Sequence, residues 1–200
     1  MIEVYGMVPF DRSGRVRWML EELAVPYEDR VLSWAERDLD SPEYRAISPL
    51  GRVPALVSGE VKLCETTVIL DWIGRTHGTG SWSPDNQDDS AYRSWMGMAG
   101  STIDAICFEF VRPDVPIDHR EARRDQAAHT FQRTVLPALR QVLQSRDTVL
   151  EGGLCAVDLQ IAASLHYADQ RAALDGEPRL QAWLQQMRAR PAAVQAGLFG

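Results

Sequence analysis

The stretch GRVPALVSGEVKLCETTVIL, Gly51–Leu70, constrains this chain more than any other. Two short apolar runs, residues 55–57 and 61–64, flank Ser-Gly-Glu, the pattern of a β-hairpin. The second run passes straight into a helical pattern from about Glu65 to Thr76, with Ile69, Trp72, Ile73 and Thr76 on one face. Pro54 stands at the mouth of the first run, where it withholds a ladder hydrogen bond. Glu65 stands at the far end of the second. A rigid proline and a carboxylate therefore bracket one hairpin, and the rest of the chain has to account for both.

Upstream, residues 2–6 alternate as a strand. From Ser13 the spacing turns helical, with Val16, Met19, Leu20 and Leu23 at i, i+3, i+4 and i+7, and Ser13 stands where an N-cap is expected. Residues 27–32 read as a second strand, and a strand–helix–strand opening predicts a parallel pair with a crossover helix. A short helix at about 41–47 precedes the hairpin. The unit reads β-α-β-α-β-β-α and closes at residue 77. Residues 78–90, rich in Gly, Ser, Pro, Asp and Asn, form the expected linker. Residues 91–200 read as wholly helical. One apolar stripe runs along Trp95, Met98, Ala99, Thr102 and Ile106; a second along Phe131, Val135, Leu139, Val142 and Leu143; a third along Leu180, Trp183, Leu184 and Met187.

A net charge of -7 argues against general affinity for nucleic acid or anionic membrane. Lys62 is the only lysine, so arginine carries nearly all the positive charge. No apolar run approaches the ~20 residues that span a bilayer, and the N-terminus lacks the basic start and apolar core of a signal peptide. Cys64, Cys107 and Cys155 show neither a disulfide framework nor metal-ligand spacing, which fits a reducing cytoplasm. The four histidines, His77, His119, His129 and His166, show no ligand spacing either, so no metal is assigned.

The bracketed hairpin has a chemical reading. A cis bond before Pro54 would turn the chain sharply and expose the Val53 backbone N–H and C=O to an extended peptide; an ordinary trans proline at a strand start is the plain alternative. Helix N-termini bind anions through free N–H groups and the macrodipole. A ligand carboxylate would sit on the Thr66 N–H and hydroxyl, and the Glu65 side chain would take an ammonium group. Together they would read an α-amino acid head; a capped helix with a solvated glutamate is the alternative for this pair alone.

The combination "SPLGRVPAL…LCETTVILDWI" resembles the glutathione-site signature of the glutathione transferase family, N-P-x-G-[KR]-V-P-x-L followed by E-S-x-x-I. Arg15–Glu28 is similar to the first helix and second strand of bacterial members, and Pro178–Val194 to their last long helix. The resemblance implies a cytosolic α/β protein with a thioredoxin-like N-terminal domain, residues 1–77, and an all-α C-terminal domain, residues 91–200, that supplies the electrophile site. It implies that Val53 pairs with the cysteinyl backbone of glutathione, that Pro54 is the cis proline, that Glu65 and Thr66 hold the γ-glutamyl head and that Arg52 lies near the glycine carboxylate. Thr66 in place of serine keeps both hydroxyl and N–H.

Two departures stand out. The family's usual first-loop serine positions carry Phe10 and Asp11, which leaves Ser13 as the one hydroxyl of the loop and cap. The inner-helix capping box reads "CAVD", where Asp158 can reach back to the Cys155 N–H but the thiol is a poor acceptor. Chemistry on glutathione needs its thiolate, and lowering a thiol pKa by two units takes about 3 kcal/mol. A hydroxyl at a helix start can supply that order, so Ser13 is the candidate catalytic donor. The expected activity is that of a glutathione transferase, with glutathione as co-substrate, a small electrophile as partner and a detoxifying role in a cytoplasmic homodimer. The alternative is a non-catalytic relative that uses the scaffold for binding or regulation. A glutathione-dependent oxidoreductase is disfavoured, because Met7–Arg15 contains no cysteine.

Overall fold

The computed structural model describes residues 1–7 and 11–199. The chain divides into two compact units, Met1–Ser83 together with Arg190–Gly200, and Pro84–Ala189.

The first unit is built on a four-stranded sheet of order β2-β1-β3-β4. Strand β1 (Ile2–Gly6) alternates, with Ile2 and Val4 in the core and Glu3 and Tyr5 facing the other side. Strand β2 (Tyr27–Val31) pairs parallel to β1, with Val4 opposite Asp29. Helix α1 (Ser13–Glu22) supplies the crossover that a parallel pair requires. Strand β3 (Ala55–Ser58) runs antiparallel to β1, and β4 (Val61–Cys64) closes the hairpin. Between β2 and β3 lies the short helix α2 (Pro42–Arg45), whose N-terminus is capped by Ser41 accepting from the Tyr44 N–H at 3.1 Å. Helix α3 (Thr66–His77) follows β4 directly. Ile69, Leu70 and Ile73 of α3 and Val16, Met19 and Leu20 of α1 are completely buried, so the two helices seal one face of the sheet.

The end of the chain returns to this unit. Short helix α10, Pro191–Gln195, packs on α1. Arg190 clamps the mostly buried Glu22 with bonds of 2.5 and 2.8 Å, and Phe199 meets Trp18 edge-on at 5.3 Å. Nothing in the apolar spacing of residues 178–200 marks where the chain leaves the helical unit, because the signal is one ion pair and one aromatic edge.

The start of α1 corrects one expectation. Ser13 is not its cap: it is already the first helical residue, preceded by Arg12 in helical geometry. The Asp11 carboxylate accepts from the Ser13 N–H and, through its other oxygen, from the Met7 N–H. A carboxylate is a better partner than a hydroxyl for the exposed donors and positive end of a helix, and Asp11 lies two residues upstream where it can reach them.

The second unit is helical, as the spacing predicts. It comprises α4 (Asp89–Met98), α5 (Asp104–Phe108), α6 (Ile117–Thr130), α7 (Leu136–Leu143), α8 (Ala156–Asp169) and α9 (Pro178–Arg188). Wider π turns, Ala99–Ile103 and Phe131–Val135, join α4 to α5 and α6 to α7. The first apolar stripe is offset from the expected one. Tyr92, Met96, Ala99, Ile103 and Cys107 are buried, whereas Met98 and Thr102 are exposed and Trp95 and Ile106 are half-buried. Both stripes are apolar and share the same 3–4 spacing, so spacing alone does not say which of them faces the core. Of the second stripe Phe131, Val135, Leu139 and Leu143 are buried, and of the third all four. Helix α8 is enclosed on nearly every side, which explains its apolar circumference. Among the described residues no helix is long and apolar enough to cross a membrane.

Candidate functional site

The register of the hairpin assembles the site. Ala55 stands opposite Cys64. The residues just before Ala55 and just after Cys64, Val53–Pro54 and Glu65–Thr66, therefore lie at the same end of the β3–β4 ladder. The Val53–Pro54 peptide is cis, and Pro54 is buried while Val53 is half-buried and the Arg52 side chain is exposed. Across from them the α3 N-terminus opens. Glu65 holds the entry position with φ 72° and ψ 120°, its side chain exposed and making no capping bond, and Thr66 is 7% exposed. A non-glycine residue in that backbone region is strained. The first N–H groups of an α-helix have no intrahelical partner. An exposed carboxylate and a helix N-terminus with a threonine thus lie at one hairpin end, with the exposed Arg52 three residues before Ala55, a combination suited to a zwitterionic, peptide-like ligand.

The segment leading into Val53 is held from below. The Arg52 carbonyl accepts from the Tyr44 hydroxyl at 2.7 Å and from the Ser48 hydroxyl at 2.9 Å, while the Arg52 N–H donates back to Ser48 Oγ at 3.1 Å. Tyr44 and Ser48 are 3% and 1% exposed. Burial is the main force pushing the Tyr44 phenol up to about 12, so it donates at any ordinary pH. Tyr44 packs with Leu39 and Ala55, with Tyr5 and Val53 against the same cluster. Gly51 makes the turn between Ser48 and Arg52: its φ is +59°, and a Cβ there would meet the Leu39 carbonyl oxygen at 2.6 Å.

Ser13 packs against Gly6, the residue after Tyr5, which pairs with Ala55. Ser13 is completely buried, its hydroxyl has no hydrogen-bond partner among the described residues, and it lies so close to Gly6 that a Cβ there would meet it at 2.0 Å. Of the two serine-equivalent positions in the first loop, Asp11 is engaged as described above, and Phe10 lies outside the described residues. Among the described residues no group of three His, Cys, Asp or Glu side chains could hold a metal ion.

In the helical unit Asp158 is completely buried and ties two elements together. It accepts from the Cys155 N–H at 3.0 Å and from the Val149 N–H at 2.7 Å, with the Cys155 thiol at 3.7 Å. Desolvation raises its carboxyl to about 6 against these bonds, and burial first of all pushes the Cys155 thiol up to about 12. Both groups are structural, as "CAVD" suggests: a thiol held neutral and buried is no nucleophile.

Comparison with known proteins bears on this geometry. Residues 10–82 match the family described as "Glutathione S-transferase, N-terminal domain". "Glutathione S-transferase 4" of Zea mays is 28% identical over 206 residues, spanning 99% of this chain and 92% of the relative. "Glutathione S-transferase 3" of Schizosaccharomyces pombe is 36% identical over 95 residues, 46% of this chain, and the match spans 38% of that relative's length. Among solved structures, a glutathione S-transferase from Xylella fastidiosa superposes with TM-score 0.82 at 19% identity, over 98% of this chain and 97% of that one. A glutathione transferase from Pseudomonas putida, with one glutathione disulfide bound per subunit, gives 0.80 at 23% identity over 98% and 90%.

Residues 10–82 match the glutathione S-transferase N-terminal domain family, and the whole chain has the glutathione transferase fold.

That fold pairs a thioredoxin-like first unit with a helical second unit. It also shows what motif reading missed. The family signature drew attention to Arg52, Val53, Pro54, Glu65 and Thr66, the residues expected to face a ligand. Tyr44 and Ser48, which fix the Arg52 backbone from the protein side, carry no ligand chemistry of their own. The signal for Ser48 was visible: it stands where the signature has asparagine, another side chain that bonds nearby backbone.

Proposed function

We propose that this protein is a glutathione transferase: it binds glutathione at the Val53–Pro54 edge and activates the thiol for attack on a small electrophile. The observation that carries this reading is the hairpin register, which sets the cis Val53–Pro54 peptide beside an exposed carboxylate and a helix N-terminus. Val53 pairs backbone to backbone with the cysteinyl residue. Glu65 takes the γ-glutamyl ammonium, Thr66 takes the α-carboxylate through its N–H and hydroxyl, and Arg52 faces the glycine carboxylate. Each charged contact of this kind contributes about 1.5–3 kcal/mol, which supports a dissociation constant in the micromolar to millimolar range. Glutathione acts as co-substrate, and a cytoplasmic homodimer with a detoxifying role belongs to the same proposal, supported by the family alone.

The thiol needs a donor. Ser13 is the proposed one, supported by a hydroxyl with no partner among the described residues at the first position of α1. One observation favours a second reading, a glutathione-binding protein without transferase activity. Ser13 is completely buried against Gly6, and the α1 N-terminus already carries the Asp11 carboxylate, whose charge opposes a thiolate nearby. The pH dependence of thiolate absorbance in the bound complex separates the two. A bound-thiol pKa at least a unit below the free value of about 8.5, rising again in Ser13→Ala, supports the transferase. A bound-thiol pKa at or above the free value supports the binder.

A further inference from the structure

We infer that Tyr44 and Ser48 are positioning residues for peptide-ligand recognition, acting through the Arg52 carbonyl that both hydroxyls clamp; this rests on the glutathione-binding reading above. The Arg52 carbonyl is the last acceptor before the Val53 residue that is to pair with the ligand. A carbonyl oxygen has two lone pairs, and here both are filled by hydroxyls of buried residues, at 2.7 and 2.9 Å. The Arg52 N–H is taken up as well, by the same Ser48 hydroxyl at 3.1 Å.

With both backbone groups of Arg52 satisfied from the protein side, the peptide planes entering Val53 have one orientation, and a ligand strand meets a fixed edge instead of ordering a loose one. Pre-ordering of this kind is worth affinity because the binding step no longer has to freeze the backbone. The clamp is itself rigidly seated. Ser48 lies three residues after α2, with its N–H on the Tyr44 carbonyl at 2.8 Å, and the Gly51 N–H returns to the Ser48 carbonyl at 2.8 Å. The Arg45 guanidinium holds the Pro49 carbonyl at 3.0 Å and the Asp40 carboxylate at 2.9 Å. Tyr44 therefore couples α2 to the binding edge through one hydroxyl, while its ring belongs to the Leu39–Ala55 cluster. The ring and the hydroxyl do separable work, which makes the inference testable.

The experiment measures glutathione affinity by calorimetry and stability by urea unfolding in wild type, Tyr44→Phe, Ser48→Ala, their double variant and Leu39→Val. Tyr44→Phe keeps the ring in the cluster and removes only the donor. Leu39→Val disturbs the same cluster, where Leu39 is 6% exposed, and touches no hydrogen bond to Arg52. The expected result is a loss of affinity of about fivefold for each hydroxyl deletion. The double variant, whose Arg52 carbonyl keeps neither donor, loses about twentyfold or more, and Leu39→Val loses stability with unchanged affinity. If Tyr44→Phe and Ser48→Ala lower stability but bind glutathione as wild type does, or lose no more affinity than Leu39→Val, the hydroxyls are merely structural and the inference is overturned. If wild type itself does not bind glutathione, the inference falls together with the reading on which it rests.

Discussion

Ala55 stands opposite Cys64 in the β3–β4 ladder, and this pairing brings Pro54 and Glu65 to the same end of one hairpin. A one-residue slip would turn every side chain of β4 to the opposite face of the sheet and remove Glu65 from its place beside Pro54. The proline and the carboxylate at the two ends of a single motif thus flank the same end of one ladder.

Gly51→Ala should destabilise the first unit by about 2 kcal/mol or more, because it adds a side chain at positive φ where a Cβ would lie 2.6 Å from the Leu39 carbonyl oxygen. Urea unfolding measures this. A loss under about 0.5 kcal/mol would mean that the turn relaxes at no cost.

Glu65→Gly should trade function for stability. Removing the Cβ at φ 72° relieves backbone strain of about 1–3 kcal/mol, offset in part by the greater entropy of glycine in the unfolded chain. A net gain of about 1 kcal/mol in unfolding free energy is expected, together with weaker glutathione binding. A variant that is both less stable and equally avid would contradict the prediction on both counts.

Arg190→Ala should cost about 2 kcal/mol, since it leaves the largely buried Glu22 carboxylate with the Trp18 indole N–H at 2.9 Å but without its cation. The comparison is with Arg190→Lys, which keeps the charge but not the two-pronged geometry and should recover only part of the loss.

His166 sets a pH-dependent contribution to stability. Burial first, then the Arg188 guanidinium on Nδ1 at 2.7 Å, lower its pKa from 6.5 to about 4, against the opposing pull of Asp169. The folded state therefore binds this proton less readily than the unfolded state. Stability from His166 is fully present above about 6.5 and is lost as pH falls towards about 4, by up to about 3 kcal/mol. Asp158 has the opposite sign: its carboxyl is raised to about 6, so its contribution is lost as pH rises from about 4 to about 6. The two slopes oppose each other, and the test is the difference between wild type and His166→Gln across pH 4–7. That difference should grow with pH; a constant difference would show that His166 titrates alike in both states.

Much of the first unit was legible because its signals are local. Alternation in Ile2–Gly6, the i, i+3, i+4 spacing of Val16, Met19 and Leu20, and Ser-Gly-Glu between two apolar runs each specify their own element. The residues proposed to face the ligand were legible for the same reason, as they fall within sixteen positions of Gly51. The misplaced features depend on something a periodicity cannot carry. Ser13 is not the cap because the helix already begins at Ser13, whose N–H goes to the Asp11 carboxylate two residues upstream. The stripe on α4 shifts because two apolar faces share the same spacing, and the packed one is that of Tyr92, Met96 and Ala99. The return of the C-terminal segment to α1 rests on Arg190 finding Glu22, residues separated by nearly the whole chain. Tyr44 was hidden because its bond to Arg52 exists only once α2 and the Gly51 turn have folded.

The most direct test of the central claim is calorimetric titration of reduced glutathione into wild type and Glu65→Ala under identical conditions. Wild type should bind with a dissociation constant between micromolar and millimolar. Glu65→Ala should lose tenfold or more, about 1.4 kcal/mol or greater, because the ligand's ammonium loses its charged partner. Equal affinity in the two proteins, or no binding by wild type, would contradict the assignment of this hairpin end as the glutathione site.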